Sequence, residues 1–429
     1  MEVRLSGGDD RNLMERLLEK QIPLSNSCNG KGTCGKCKVR VVSGTITDVT
    51  DTERRLLTEK EVAGRMRLAC MTKARGEVVI ETGEGEEDHV FTTGGVEGHF
   101  ERDADKHGYG LAVDIGTTTV VATLVNMDDG TEGATYAQIN PQKTYGLDVL
   151  TRITYETEYK EKAITQLQEA IVHGLNEAIK GICAEAGIDV TQIGEIDIAA
   201  NCTMLHMLAG VDARPIGRAP YKPAFTDGQK LKARDLGLMG AADAMVYLLP
   251  SVSAYIGADI VAGVYVCDLR HSPGKTLFID IGTNGELVLE AGGKMYSCSC
   301  AAGPALEGMN ITSGMRAAKG AVEDVHIGPV GIRLDVIGKG KPHGLCGSGI
   351  LAVVRELVRT GLVTRRGAFA RPEDFEVGDY RRDILRYNGN KREALLYSSG
   401  ETELLVTQSD VRQVQLAKGA IRSGIEVLL

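Results

Sequence analysis

The sequence predicts an α/β protein with more than one domain, and three observations support that fold class. Four cysteines fall in the first seventy residues, which indicates a small metal-binding domain at the beginning of the chain. A segment rich in Gly, Glu and Asp follows and shows no hydrophobic periodicity. The remaining chain contains the tetrapeptide Asp-Ile-Gly-Thr twice, and each copy lies between apolar stretches typical of strands. A chain of 429 residues also exceeds what one compact core normally holds.

Composition and charge argue against several classes of function. The net charge is −9 and Trp is absent, so we expect neither broad binding to phosphate backbones nor stacking on single-stranded nucleic acid. The sequence has no run of about 20 apolar residues, and residues 1–6 lack the apolar region of a signal peptide. We therefore expect a cytoplasmic protein that binds neither nucleic acid nor membrane. Its ten cysteines are not expected to form a disulfide framework, because the cytoplasm is reducing.

The first segment predicts a small mixed domain of strands and one helix. The helix is expected to begin after Asn12, because Asn12 and Glu15 have the spacing of a capping box. Residues 38–42 alternate between polar and apolar side chains like a half-buried strand, and Ser43-Gly44 is expected to turn that strand. Residues 77–81 predict a second strand.

The cysteines of this domain have the spacing of an iron–sulfur ligand set. Cys28, Cys34 and Cys37 are spaced C-x5-C-x2-C in a glycine-rich loop, and Cys70 follows far downstream. The first gap is one residue longer than in plant-type ferredoxins and resembles the adrenodoxin branch of the same fold. A structural zinc site is the alternative, but zinc sites normally contain two short Cys pairs, and Cys70 has no near partner. The favoured prediction is a 2Fe–2S cluster held by these four cysteines.

An internal repeat divides the rest of the chain into two similar lobes. One copy of the Asp-Ile-Gly-Thr motif begins at Asp114 and the other at Asp280, near the middle of the remaining chain. Each copy reads as strand, Gly/Thr turn and strand, so the repeat predicts two lobes around a cleft. The expected division is a cluster domain at 1–83, a flexible linker at 84–108, a first lobe at 109–270 and a second lobe at 271–429.

Each of the two turns predicts a phosphate-binding loop. Glycine permits close approach of the backbone, and successive N–H groups and hydroxyls can face phosphate oxygens. Asp114 and Asp280, at the ends of the preceding strands, are the candidate catalytic residues, because carboxylates can hold Mg²⁺ through its waters. The expected phosphate-binding residues are Gly116, Thr117, Thr118, Thr119, Gly282, Thr283, Asn284 and Gly285.

The two loops resemble the phosphate-1 and phosphate-2 loops of the actin, Hsp70 and sugar-kinase ATPase superfamily. Segments 140–148, 201–206, 301–308 and 345–350 resemble one branch of it. With the N-terminal cysteines, these segments are similar to the ferredoxin-type reductive activators of corrinoid proteins. The resemblance implies a β-grasp, ferredoxin-like domain followed by an actin-like (ribonuclease H-like) two-lobed ATPase body.

The resemblance also implies a reaction. Activators of this family pass one electron from the 2Fe–2S cluster to Co(II) and regenerate the Co(I) that methyl transfer requires. ATP with Mg²⁺ drives the step, because the Co(II)/Co(I) couple lies below ordinary donors. The implied partners are the corrinoid protein of a methyltransferase system and an external low-potential electron donor. The oligomeric state stays open, with a homodimer as the candidate.

Two departures from the family pattern and three rival functions remain. No adenosine-binding Gly-Gly-x-Gly segment occurs late in the second lobe, and the last residues read as an amphipathic helix, so that lobe is expected to be incomplete. The linker is also shorter than in longer relatives. One rival is an electron-carrying ferredoxin module on a nucleotide-binding body without ATPase coupling. An activator of radical 2-hydroxyacyl dehydratases and a small-molecule kinase are disfavoured, because neither is expected to carry the N-terminal cluster domain.

Two weaker features are expected to be structural. Cys298 and Cys300 could suggest a second metal site, but buried thiols are favoured in an apolar neighbourhood. His206 is expected in a helix that packs on the sheet, with Asn201 as its N-cap.

Overall fold

The computed structural model describes residues 2–20, 22, 24, 30, 32, 35, 37–82, 103, 105–389, 391–400 and 402–429. Most of the linker predicted at 84–108 lies outside the described residues, as do Cys28 and Cys34. None of the helices in the described part of the chain combines the length and apolar character that crossing a membrane requires.

The described residues form five sheets and the helices around them. The strands are β1 Glu2–Leu5, β2 Lys38–Ile46, β3 Met66–Leu68, β4 Ala74–Thr82, β5 Tyr109–Ile115, β6 Thr119–Asn126, β7 Glu132–Ile139, β8 Ile193–Ala200, β9 Gln229–Lys232, β10 Met245–Leu248, β11 Thr276–Ile281, β12 Gly285–Ala291, β13 Lys294–Cys300, β14 Ala321–Gly328, β15 Gly331–Val336, β16 Gly344–Leu345, β17 Leu385–Asn388, β18 Lys391–Ser399 and β19 Thr402–Thr407. The helices are α1 Leu13–Glu19, α2 Asp51–Leu56, α3 Glu59–Ala63, α4 Val149–Tyr159, α5 Glu161–Ala186, α6 Cys202–Ala209, α7 Ala233–Leu236, α8 Ala258–Val266, α9 Gly347–Arg359, α10 Tyr380–Ile384 and α11 Gln408–Leu428.

The N-terminal domain is a four-stranded sheet in the order β1-β4-β2-β3, with α1 packed against it. The predicted capping box at the start of α1 is confirmed. Glu15 N donates to Asn12 Oδ1 at 2.9 Å, and Asn12 N donates to Glu15 Oε2 at 2.8 Å. Leu13 and Leu17 on α1 are fully buried against Val39 and Ile80 of the sheet.

The turn predicted at Ser43-Gly44 is wrong. Strand β2 runs through these residues to Ile46 and pairs with β4 along this stretch. The register shifts on either side of Ser43-Gly44, and Gly44 has φ of 98°, so the turn-forming residues are accommodated as irregularities within a paired strand. Cross-strand pairing here outweighs the local turn composition.

The first lobe is built on a six-stranded sheet in the order β7-β6-β5-β8-β10-β9. Strands β5, β6 and β7 form an antiparallel meander, and β5 pairs in parallel with β8. The scaffold helix predicted from the apolar spacing near residues 163–184 is confirmed as α5. It buries Leu167, Ile171, Leu175, Ile179 and Ile182 against the sheet.

The second lobe begins with the same kind of antiparallel meander, β11-β12-β13, and continues with two further three-stranded sheets. Helices α9 and α11 contribute their apolar faces to its core. A small apolar cluster connects α8 to the first sheet of this lobe, with Ile256, Ile260, Leu269 and Val288 buried together. The mixed α/β fold predicted from the sequence is therefore confirmed.

Candidate nucleotide and cluster sites

The two motif copies form the two predicted hairpins. Asp114 is the penultimate residue of β5, and Asp280 is the penultimate residue of β11. In the first turn a Cβ added to Gly116 would lie 2.8 Å from Thr119 O, so a side chain there would force the turn open. In the second turn Gly282 N donates to Asn284 O at 2.9 Å. Both tight turns therefore place polar groups at the ends of the strands that precede them.

The two hairpins meet at one carboxylate, that of Glu307. Thr118 Oγ1 of the first hairpin donates to Glu307 Oε2 at 3.1 Å. Thr283 Oγ1 of the second hairpin donates to Glu307 Oε1 at 2.5 Å. The structure thus brings the predicted loop residues of both lobes to a single point.

An acidic group lies beside this meeting point. Asp114, Asp259 and Asp280 influence one another electrostatically, and Asp259 is the second residue of α8. Burial among protein atoms and the neighbouring carboxylates raise the pKa of Asp114 and of Asp259 to about 6 each. Asp114 nevertheless remains accessible to solvent. Burial also raises the pKa of Asp280.

Glu286 extends the acidic group along β12. Its Cα lies opposite Asp280 on β11 and opposite Ser299 on β13. Burial and the charges of Asp259 and Asp280 raise its pKa to about 7, although Ser299 Oγ donates to it at 3.0 Å. Carboxylates that repel one another in a cleft bind a divalent cation favourably, because the cation removes the repulsion. Within the described residues no three metal-binding side chains already converge as a direct ligand set, and a cation held through its waters fits this arrangement.

The turn of the first hairpin is held from behind by the amide groups of two asparagines. Asn140 is fully buried, and its Nδ2 donates to Gly116 O at 2.8 Å. The backbone N–H of Asn140 donates to Thr118 O at 2.9 Å. Asn201 Nδ2 donates to Thr117 Oγ1 at 3.0 Å. Segments 140–148 and 201–206, whose resemblance to a family is visible in the sequence, thus support this loop.

A buried arginine completes the support. Arg152 of α4 is fully buried, and its Nη2 donates to Thr117 O at 2.5 Å. Its other nitrogens donate to Gly146 O at 2.9 Å and to Gln142 Oε1 at 3.2 Å. Burial lowers the pKa of Arg152 to about 9, so the side chain remains a cation at neutral pH. A positive charge directly behind the loop favours an anion in front of it.

His206 has the structural surroundings expected for it, whereas the two second-lobe cysteines, expected to be buried, are only half-buried. Asn201 caps α6, since its Oδ1 accepts from Met204 N at 3.0 Å. His206 is fully buried and stacks on Phe225 at 4.2 Å, and burial lowers its pKa. Cys298 and Cys300 lie close to Gly424 of α11, and burial raises the pKa of both thiols.

The described half of the predicted cluster ligand set is preorganised. Cys37 Sγ and Cys70 Sγ lie 3.2 Å apart, and both residues are buried. The hydrogen bond between the two thiols lowers the pKa of Cys37 to about 7, which favours the thiolate that iron binds. Two thiols this close can bind one iron, so the described residues fit the cluster. Cys28 and Cys34 remain predicted ligands outside the described residues.

A buried ion pair fixes the segment that carries Cys70. Glu53 is fully buried and makes a two-point contact with Arg67, with both N···O distances at 2.9 Å. The same carboxylate accepts from Leu68 N and from Thr72 Oγ1, each at 3.1 Å. Hydrogen-bond donors on both sides of Cys70, Leu68 N and Thr72 Oγ1, therefore bind the Glu53 carboxylate.

Sequence reasoning missed several residues of these sites, among them Asp259, Glu307, Arg152 and Glu53. Glu307 lies within segment 301–308, whose resemblance to a family could have drawn attention to it. The other three carry no local signal, because an acidic residue in a first helical turn or a charged residue in a short helix is ordinary.

Three family models match the chain. The model for a 2Fe–2S iron–sulfur cluster binding domain matches residues 2–75. The model for the RACo middle region matches residues 109–272, and the model for the C-terminal domain of RACo, the ASKHA domain, matches residues 274–429. The first hairpin thus lies within the RACo middle region, and the second lies within the ASKHA domain.

Individual proteins are also similar to the chain. The corrinoid activation enzyme RamQ of Eubacterium limosum is 36% identical over 75% of this chain and 54% of its own length. The [Co(II) methylated amine-specific corrinoid protein] reductase of Methanosarcina barkeri is 26% identical over 51% of this chain and 40% of its own length. The chain therefore spans about half the length of these curated relatives. A solved structure of a reductive activator for corrinoid, iron–sulfur protein superposes with a TM-score of 0.68 at 28% identity, covering 99% of this chain and 81% of that one.

Proposed function

Since the chain belongs to the RACo family, we propose that it reductively activates a corrinoid protein in an ATP-dependent reaction. The observation that carries the proposal is the convergence of both phosphate hairpins on Glu307, beside the acidic group. In the same chain, a domain of the 2Fe–2S type presents two buried thiols side by side. The names of the relatives supply the proposed substrate, a corrinoid protein whose Co(II) is reduced to Co(I).

The proposed nucleotide is ATP with Mg²⁺. The backbone and hydroxyl groups at 116–119 and 282–285 bind the phosphates, and Arg152 contributes positive charge behind the first loop. Asp114 and Asp280 hold Mg²⁺ through its waters, and Asp259 orients the attacking water. A 2Fe–2S cluster, when bound by Cys28, Cys34, Cys37 and Cys70, supplies electrons one at a time.

The proposed organisation and surroundings follow the sequence. We assign a cluster domain, a linker and two ATPase lobes at the predicted bounds, which the ranges of the three family models support. The proposed partners are a corrinoid protein and an external low-potential donor. The cytoplasm is the proposed compartment, because ligation of a cluster by cysteine thiolates requires cysteines that are kept reduced.

Anaerobic spectroscopy tests the function. The reduced protein is mixed with a Co(II) corrinoid protein, and the visible spectrum is followed with MgATP, with MgADP and without nucleotide. We expect the Co(I) band only with MgATP. Equal Co(I) formation without nucleotide would instead support the electron-carrying module without ATPase coupling, and no Co(I) under any condition would contradict reductive activation.

The cluster assignment is tested by replacing Cys70 with alanine. We expect iron and acid-labile sulfide to fall to a small fraction of the wild-type content, because one iron loses a ligand at a site with no other described thiol beside Cys37. Cys183→Ala is the matched control, since Cys183 is also buried but lies in α5 of the first lobe. An unchanged cluster content in Cys70→Ala would show that Cys70 is not a ligand.

A further inference from the structure

Glu307 uses both of its oxygens to connect the two phosphate loops. One oxygen accepts from Thr118 and the other from Thr283, and the first of these bonds joins residues 189 positions apart. Glu307 is half-buried, so the contact lies at the cleft rather than inside either core. It is therefore a polar contact between the lobes at the predicted nucleotide position.

The backbone that carries Glu307 belongs rigidly to the second lobe. Gly308 has φ of 77°, and a Cβ added there would lie 2.0 Å from Met315 O. A Cβ added to Gly347 would lie 1.9 Å from Leu306 O. Gly303 N donates to Thr283 O at 2.9 Å, so the segment is also attached to the second hairpin. With its own backbone fixed, Glu307 can release the first lobe only by breaking the contact with Thr118.

The chemistry of this contact excludes simultaneous phosphate binding. A hydroxyl has one hydrogen to donate, so Thr118 and Thr283 cannot donate to Glu307 and to a phosphate oxygen together. A carboxylate and a phosphate are both anions that accept hydrogen bonds, and they repel each other at close range. Glu307 therefore occupies the donors that the phosphates of a nucleotide would use.

We infer that Glu307 is a latch that joins the two loops across the cleft and yields its two hydroxyl partners to the phosphates when nucleotide binds. The inference deepens the proposed function and rests on ATP as the ligand. When nucleotide binds, its phosphates replace the Glu307 carboxylate as the acceptor for the hydroxyls of Thr118 and Thr283. The Glu307 carboxylate is therefore released only when nucleotide is bound. The bound nucleotide, instead of Glu307, then connects the first lobe to the second.

The test uses Glu307→Gln, which keeps the size of the side chain and removes its charge. We expect MgATP to bind about tenfold more tightly, because the competing charge-assisted hydrogen bonds are weakened. Thr118→Val is expected to have the opposite effect and weaken MgATP binding, because it removes a donor that the phosphates need. Glu323→Gln, an exposed residue of β14, is the control and should match wild type.

Hydrogen exchange distinguishes a Glu307 contact that nucleotide displaces from one that persists when nucleotide is bound. Without nucleotide, the amides of residues 116–119 are expected to exchange faster in Glu307→Gln than in wild type, and MgATP should abolish the difference. The inference is overturned if the difference in exchange rate persists with MgATP. It is also overturned if Glu307→Gln folds and binds MgATP with wild-type affinity. Either result leaves the proposed function intact. If wild type itself binds no MgATP, the proposed function fails first and the inference fails with it.

Discussion

Replacement of Glu53 by glutamine is expected to destabilise the N-terminal domain by about 3 to 5 kcal/mol and to lower its cluster content. The carboxylate is fully buried and is shared by Arg67, Leu68 N and Thr72 Oγ1. Glutamine leaves Arg67 charged and buried without a counter-ion, which is the costly way to break such a pair. Since the same donors flank Cys70, that predicted ligand loses its fixed position.

The pH dependence has a definite sign. Burial alone would raise the pKa of Glu53, but Arg67 and the backbone donors outweigh burial and lower the pKa to about 2, from 4.5 in the unfolded chain. The carboxylate therefore contributes stability above about pH 4.5, and this contribution is lost as the pH falls from 4.5 towards 2. At about 1.4 kcal/mol per pKa unit the contribution is about 3 kcal/mol, which the variant lacks at neutral pH.

The measurement is amide hydrogen exchange of β3 and β4 in the full chain, with iron content in parallel, because a single unfolding free energy is not defined for several domains. Glu81→Gln is the matched control, since Glu81 pairs with Arg40 on the exposed side of the same sheet. An exposed pair of this kind contributes at most about 1 kcal/mol. If exchange in Glu53→Gln were no faster than in the control, the buried pair would not hold the domain together.

The features that could be predicted from the sequence depend on neighbouring residues. Each phosphate hairpin is a strand, a Gly/Thr turn and a second strand, and the whole signal lies within about 15 residues. The capping box between Asn12 and Glu15 is equally local, and it is confirmed. The turn at Ser43-Gly44 was wrong, although it is also a local pattern, because pairing of β2 with β4 continues through it.

The features that could not be predicted depend on the fold. Thr118 and Glu307 are 189 positions apart, and no pattern in either segment indicates that they touch. Arg152 and Glu53 are charged residues in helices, where solvent exposure is the usual outcome. Only the packed structure shows that one lies behind the first phosphate loop and the other behind the Cys70 segment.

Replacement of Asp114 by asparagine is expected to change activity and stability in opposite directions. ATP hydrolysis should fall by about 10²-fold or more, because the proposed Mg²⁺ site loses a carboxylate that stabilises the charge of the transition state. The metal-free protein should become more resistant to heat. Burial and the charges of Asp259 and Asp280 raise the pKa of Asp114 to about 6, which means that ionised Asp114 opposes folding at neutral pH.

This pair of effects distinguishes a functional carboxylate from a structural one. Removing a carboxylate that stabilised the fold would lower the melting temperature of the first lobe, whereas Asp114→Asn should raise the melting temperature of that lobe in the absence of Mg²⁺ and nucleotide. MgATP should then stabilise wild type more than the variant, since only wild type retains the full acidic group. Asp243→Asn, at an exposed position between α7 and β10, should change neither property. A variant with unchanged hydrolysis would remove Asp114 from the catalytic site, and one with a lower melting temperature would make it part of the structural framework of β5.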